Sequence, residues 1–169
     1  MTSDDSTTAS HASAFDAWRG QSLDELTARF TQAGCFEDPQ GWAGSEIREN
    51  YAQFARFAFL RSMWEYLLET QEQCVTRTVA SIDSEVSDAE QERLARVFAD
   101  QLGGLAHSLL YHIDHGTHDQ LAQDEPGWIL MEAFNAGDDL SGRNLGSLHE
   151  SLWECHPDGQ QACEEGGWV

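Results

Sequence analysis

The sequence predicts a mainly α-helical chain: a long antiparallel helical hairpin with flanking short helices and a small β or extended element near the C-terminus. Three observations predict it. Two long segments, 45–79 and 87–115, carry apolar residues at helical spacing and are separated by only a short break. Ser87 with Glu90, and Ser147 with Glu150, stand at the spacing of capping boxes and mark helix starts. The stretch "PGWILMEAF" is short, apolar and bounded by turn residues, as an extended segment would be.

With 169 residues the chain can bury a real core in one domain. Residues 1–13 read as a disordered acidic tail and 14–169 as a single helical domain. A short helix is expected around Ala14–Arg19. In "SLDELTARF", Ser22 is a good N-cap, Asp24 and Glu25 suit the positive helix start, and Leu23, Leu26 and Phe30 share a face. Gly34 ends that helix, and "CFEDPQGWAG" is expected to be a loop because it carries Pro39, Gly41 and Gly44.

The segment from Ser45 to about Val79 reads as one long helix. Ile47, Tyr51, Phe54 and Ala58 step along one side, and Phe57, Leu60, Trp64, Leu67 and Leu68 widen the apolar coverage, so its middle is expected to be enclosed on two or three sides. In the second long helix Leu94, Phe98, Leu102, Leu105, Leu109 and Ile113 repeat at 4, 4, 3, 4 and 4, which predicts the buried face. Gly103-Gly104 in mid-helix costs about 1 kcal/mol per glycine relative to alanine, which a close helix crossing or a kink would explain. Beyond the extended segment, "NAGDDLSG" reads as a turn and "SLHESLWEC" as a short helix capped by Ser147.

Charge restricts function. There are 30 acids against 9 bases, for a net charge of −21, and every base is arginine. Residues 101–169 hold twelve acids and Arg143 alone. Such a chain is repelled by nucleic acid and anionic membrane and attracted to basic proteins. A salt-loving host or a GC-rich genome would produce a similar composition. The four cysteines form no C-x-x-C pair, the start is polar and acidic, and no apolar run approaches the ~20 residues of a membrane span. A cytoplasmic protein with reduced thiols is expected, with Cys74 in the core.

Four of seven histidines crowd "HSLLYHIDHGTHD". His112 and His115 lie one helical turn apart and could share an ion, with His118, Asp114 and Asp119 near, and with His149, Cys155 and His156 joining from the last helix. The same positions suit a helix C-terminus, where His side chains bond free carbonyls and Gly116 closes the helix. His107 is expected to face solvent. No metalloprotease, deaminase, hydrolase or dinucleotide motif is present, so no catalytic residue and no cofactor is assigned.

The string "LAHSLLYHIDHGT", followed after an acidic stretch by "SLHESLWE", resembles the C-terminal half of small bacterial immunity-type proteins of toxin–immunity systems. The matching residues are Asp114, Gly116, Leu148, His149 and Glu150, over about a third of the chain. The resemblance implies a non-catalytic cytoplasmic protein that neutralises a toxin by binding it. The leading expectation is therefore an acidic binding protein that inhibits a basic partner such as a toxin or nuclease, through Asp124, Glu125, Trp128, Asp138 and Asp139. Two alternatives stand beside it. One is a nucleic-acid mimic of the anti-restriction or anti-CRISPR type that inhibits a DNA- or RNA-binding complex, and the other a metal-dependent enzyme using His112 and His115.

Overall fold

The computed structural model describes residues 18–82, 85–115, 128–134 and 139–158. Helices α1 (Leu23–Gln32), α2 (Pro39–Glu49), α3 (Gln53–Ala80) and α4 (Asp88–His115) come first. Strands β1 (Met131–Phe134) and β2 (Asp139–Asn144) follow, then α5 (Leu148–Ser151) and a 3-10 turn, Trp153–Cys155. The chain is thus mainly helical, with the long helix pair α3–α4 and a two-stranded antiparallel sheet near the C-terminus. The expected tail over 1–13, the closing Gly116, His118 and Asp119 lie outside the described residues. The chain divides into two compact units, Met1–Arg56 with Ile129–Gly146, and Phe57–Trp128 with Ser147–Val169.

In the first unit Ser22 caps α1 as expected. Its hydroxyl accepts from the Glu25 amide at 3.3 Å, and the Glu25 carboxylate accepts from the Ser22 amide at 2.8 Å. The Ser22 amide, and the Ser22 hydroxyl donating at 2.9 Å, hold the Glu25 carboxyl below its ordinary range. Gly34, at φ 91°, takes the left-handed position past the helix end.

The loop expected over "CFEDPQGWAG" is corrected from Asp38 onward. Asp38 accepts from the Gly41 amide at 2.9 Å and Pro39 opens α2, where its missing N–H has no helical partner to lose. A Cβ on Gly41 would run into the Asp38 carboxylate, so this glycine serves the cap. The single helix expected from Ser45 to Val79 is likewise corrected. Asn50 turns left-handed at φ 55° and ends α2, and α3 restarts at Gln53. Ile47 and Tyr51, expected on the buried side, are half-exposed, while Glu46 is buried.

Phe30 packs on Trp42 and, edge-on, on Phe54, and Trp18 lies against Phe54 and Phe134. The expected turn "NAGDDLSG" is corrected from Asp139, which starts β2. Met131 pairs with Asn144 and Ala133 with Leu140, so three residues of β2 bulge opposite Glu132 alone. Gly142, at φ 79°, supplies the backbone conformation the bulge requires. The bulge brings Arg143 onto Glu132.

In the second unit Ser87 and Glu90 form the predicted capping box at the start of α4, with 3.4 Å and 2.9 Å bonds. Ser87 keeps the Glu90 carboxyl below its ordinary range. The long helices meet where Gln71 donates to the Ala95 carbonyl at 3.0 Å. The core is built on Phe57, Leu60 and Trp64 of α3, Leu110 of α4, and Leu148 and Leu152. Trp64 donates its indole N–H to the Leu152 carbonyl at 2.7 Å, 88 residues away in sequence. Cys155 is buried, and Cys74 is half-buried rather than in the core.

The buried face predicted for α4 is corrected. The buried line is Ala99, Gly103, Ala106 and Leu110, about a quarter-turn round from the predicted stripe. Leu105 and Leu109 are 57% and 55% exposed. Gly103 belongs to the buried line, which accounts for a small residue there, whereas a Cβ on Gly104 would meet nothing within 4 Å.

Candidate functional site

Asp114 and His149 form the centre of the histidine region. Oδ2 of Asp114 accepts from His149 twice, from the backbone amide at 2.8 Å and from Nδ1 at 2.6 Å. This contact replaces the capping box expected at Ser147, which lies at φ 60° and makes no side-chain cap bond. A carboxylate from α4 thus does the capping of α5. A carboxylate only accepts, so Nδ1 must donate, and in the neutral ring the lone pair lies on Nε2. Asp114 Oδ1 is buried and has no hydrogen-bond partner among the described residues.

Three rings of α4 surround His149. Tyr111 and His107 meet it edge-on at 5.2 Å and 5.7 Å, and His115 lies at 6.3 Å. Positions 107, 111, 114 and 115 fall on one face at helical spacing. The expectation that His107 faces solvent is therefore corrected: it is half-buried against His149. His112 and His115 go to different partners. His115 Nδ1 contacts the Tyr111 carbonyl at 2.8 Å, the helix-end arrangement, while the His112 ring lies tilted against Trp128, whose indole N–H donates to the His112 carbonyl. Among the described residues no three His, Cys, Asp or Glu side chains are grouped to hold a metal. Ser108, next to His107, spends its hydroxyl on the Gly104 carbonyl. The arrangement fastens α5 to α4 and offers one oriented imidazole nitrogen.

Cys155 and His156 do not join this cluster. Cys155 is buried, and His156 stands edge-on to Trp64 at 4.5 Å. Burial pushes the His156 pKa down, Asp158 opposes that, and Arg61 adds to it.

The first unit holds a second polar centre that spacing did not reveal. Arg143 donates Nε to Glu132 Oε2 at 2.8 Å and Nη2 to Glu132 Oε1 at 2.7 Å, a two-pronged pair. It also reaches Glu46 Oε1 at 3.0 Å and the Tyr51 carbonyl at 3.1 Å. Glu46 in turn accepts from the Trp18 indole and the Phe54 amide. All three charged side chains are buried. The available signal was Arg143's isolation as the one base after residue 96.

Of the expected partner-binding residues, Trp128 is 41% exposed. Asp139 opens β2, and Asp124, Glu125 and Asp138 lie outside the described residues. Neither a family model, nor a curated protein, nor a solved structure matches the chain. No helix among the described residues is long and apolar enough to cross a membrane.

Proposed function

We propose that this chain is an acidic cytoplasmic binding protein that inhibits a basic protein partner, a toxin or nuclease in the manner of immunity proteins. The observation that carries the reading is the burial of Arg143. It is the one base after Arg96, and it is enclosed between Glu46 and Glu132, so no lysine or arginine beyond residue 96 reaches the surface. An uninterrupted negative field over that part of the chain steers a cationic partner and repels nucleic acid. Trp128, 41% exposed, supplies an aromatic anchor.

A tagged capture from host lysate at low and moderate salt, read by mass spectrometry, tests the reading. One basic protein held at near-equal amount through moderate salt is the expected result, and a mixture that washes away with salt overturns it. With that partner in hand, Asp138→Asn with Asp139→Asn should slow association and flatten its salt dependence. An unchanged rate at low salt would remove those two residues from the surface.

A second reading, nucleic-acid mimicry, is favoured by one feature. Glu65, Glu69 and Glu72 are exposed on one face of α3, with rises of about 6 Å and about 4.5 Å between them. Competition between DNA and this chain for the captured partner would select it.

A further inference from the structure

The described residues cover the apolar stripe of α4 only in part. Leu94, Phe98, Leu102 and Ile113 are half-buried, and Leu105 and Leu109 between them are more than half exposed. The buried line faces one way, and the face of His107, Tyr111 and His115 meets His149 on another. From Glu65 through Phe98, moreover, no described residue of the two long helices is buried. Two helices alone cannot enclose the apolar side chains they carry. Steps of 4, 4, 3, 4 and 4 keep these side chains on one side of the helix, a face that a second helix can cover.

Charge identifies what can cover it. Residues 101–113 form the longest stretch of the chain without Asp, Glu, Lys or Arg, whereas 88–100 hold Asp88, Glu90, Glu92, Arg93, Arg96 and Asp100. A basic partner would be met by acids along such a seam; a second, equally acidic copy needs a seam without them. The 4, 4, 3, 4, 4 spacing reads the same in both directions, with its centre between Gly103 and Gly104. Two antiparallel copies crossing at that centre set Leu94 opposite Ile113, Phe98 opposite Leu109, and Leu102 opposite Leu105. The same register sets Arg96 and Asp100 of each helix opposite positions 111 and 107 of the other, inside its charge-free stretch, and Arg93 opposite position 114, an aspartate.

We propose that α4 is a homodimer seam, two copies packing antiparallel about a two-fold axis at Gly103–Gly104. Each copy presents the same patch, so the contact closes at two subunits. Because net charge opposes the encounter and apolar burial drives it, added salt strengthens the dimer. Salt weakens capture of a basic partner, so this proposal and the proposed function can fail separately.

Sedimentation velocity of the full chain across 5–200 µM (order-of-magnitude range), in about 0.05 M and about 0.5 M NaCl, tests it. The expected result is a species of twice 18.9 kDa whose share grows with salt. Leu105→Glu with Leu109→Glu should raise the dissociation constant at least about a hundredfold and leave the circular dichroism unchanged, since both positions face solvent in the single chain. A monomer at the highest concentration and salt overturns the proposal, as does a dimer that salt dissolves or one that survives the double substitution. Should the variant misfold, the salt series on the unaltered chain decides alone.

Discussion

A guanidinium enclosed by two carboxylates cannot be removed without leaving bare charge in the interior. Arg143→Met deprives buried Glu132 and Glu46 of their shared cation and should cost about 3–5 kcal/mol, read as a lowered urea midpoint. Adding Glu132→Met and Glu46→Gln to that variant should recover most of the loss, because the unpaired charges go with it. His156 acts in the opposite sense to an ion pair. Its pKa in the fold lies below the ordinary value of 6.5, chiefly through burial, so the unfolded chain takes up its proton at higher pH than the folded one. Its contribution is complete above pH 6.5 and is lost as pH falls through the folded pKa. The melting temperature of the unaltered chain should therefore fall, relative to that of His156→Gln, on going from about pH 7 to pH 5. Parallel curves for the two proteins would show that His156 takes up its proton equally in the folded and unfolded states.

The elements differ in how much of their formation is local, and this separates what could be read in the sequence from what could not. Ser22 with Glu25 and Ser87 with Glu90 are closed within one turn, so four residues suffice to see them. Replacing Ser87 by Ala should destabilise the fold by about 1 kcal/mol, and replacing Ser147 should change little, since Asp114 caps α5 instead. Thermal melts of the two variants side by side would show the contrast. The same letters at the same spacing thus have different fates, decided by a residue on another helix. The division of α2 from α3 was also hidden, because apolar periodicity runs on through Asn50 while one left-handed residue breaks the helix. Periodicity located the apolar stripe of α4 correctly but not its burial, which depends on what packs there. Asp114 and His149 were both visible as candidates, whereas Glu46 and Arg143, 97 residues apart, meet only through the fold.

For the whole molecule, a net charge of −21 works against compaction as well as steering partners. Composition supplied the sign of that field; the burial of Arg143 showed that its C-terminal part has no lysine or arginine to interrupt it. Screening length decides how much repulsion remains: it is about 30 Å in 0.01 M salt, beyond the separation of most surface carboxylates, and about 10 Å in 0.1 M. Most of the gain in stability should therefore come by about 0.1 M NaCl, with little added beyond it. A surface fitted to brine behaves otherwise, staying unfolded in dilute buffer and gaining stability into the molar range. The aromatic clusters around Phe30 and Trp64, with the enclosed Arg143 pair, do not depend on salt for their burial. The fold is accordingly expected to hold at 0.01 M NaCl, with an early plateau in melting temperature. Calorimetry of Leu105→Glu with Leu109→Glu over the same salt series removes the contribution of self-association. A melting temperature that still climbs steadily to molar salt would assign the acidity to the solvent rather than to a partner.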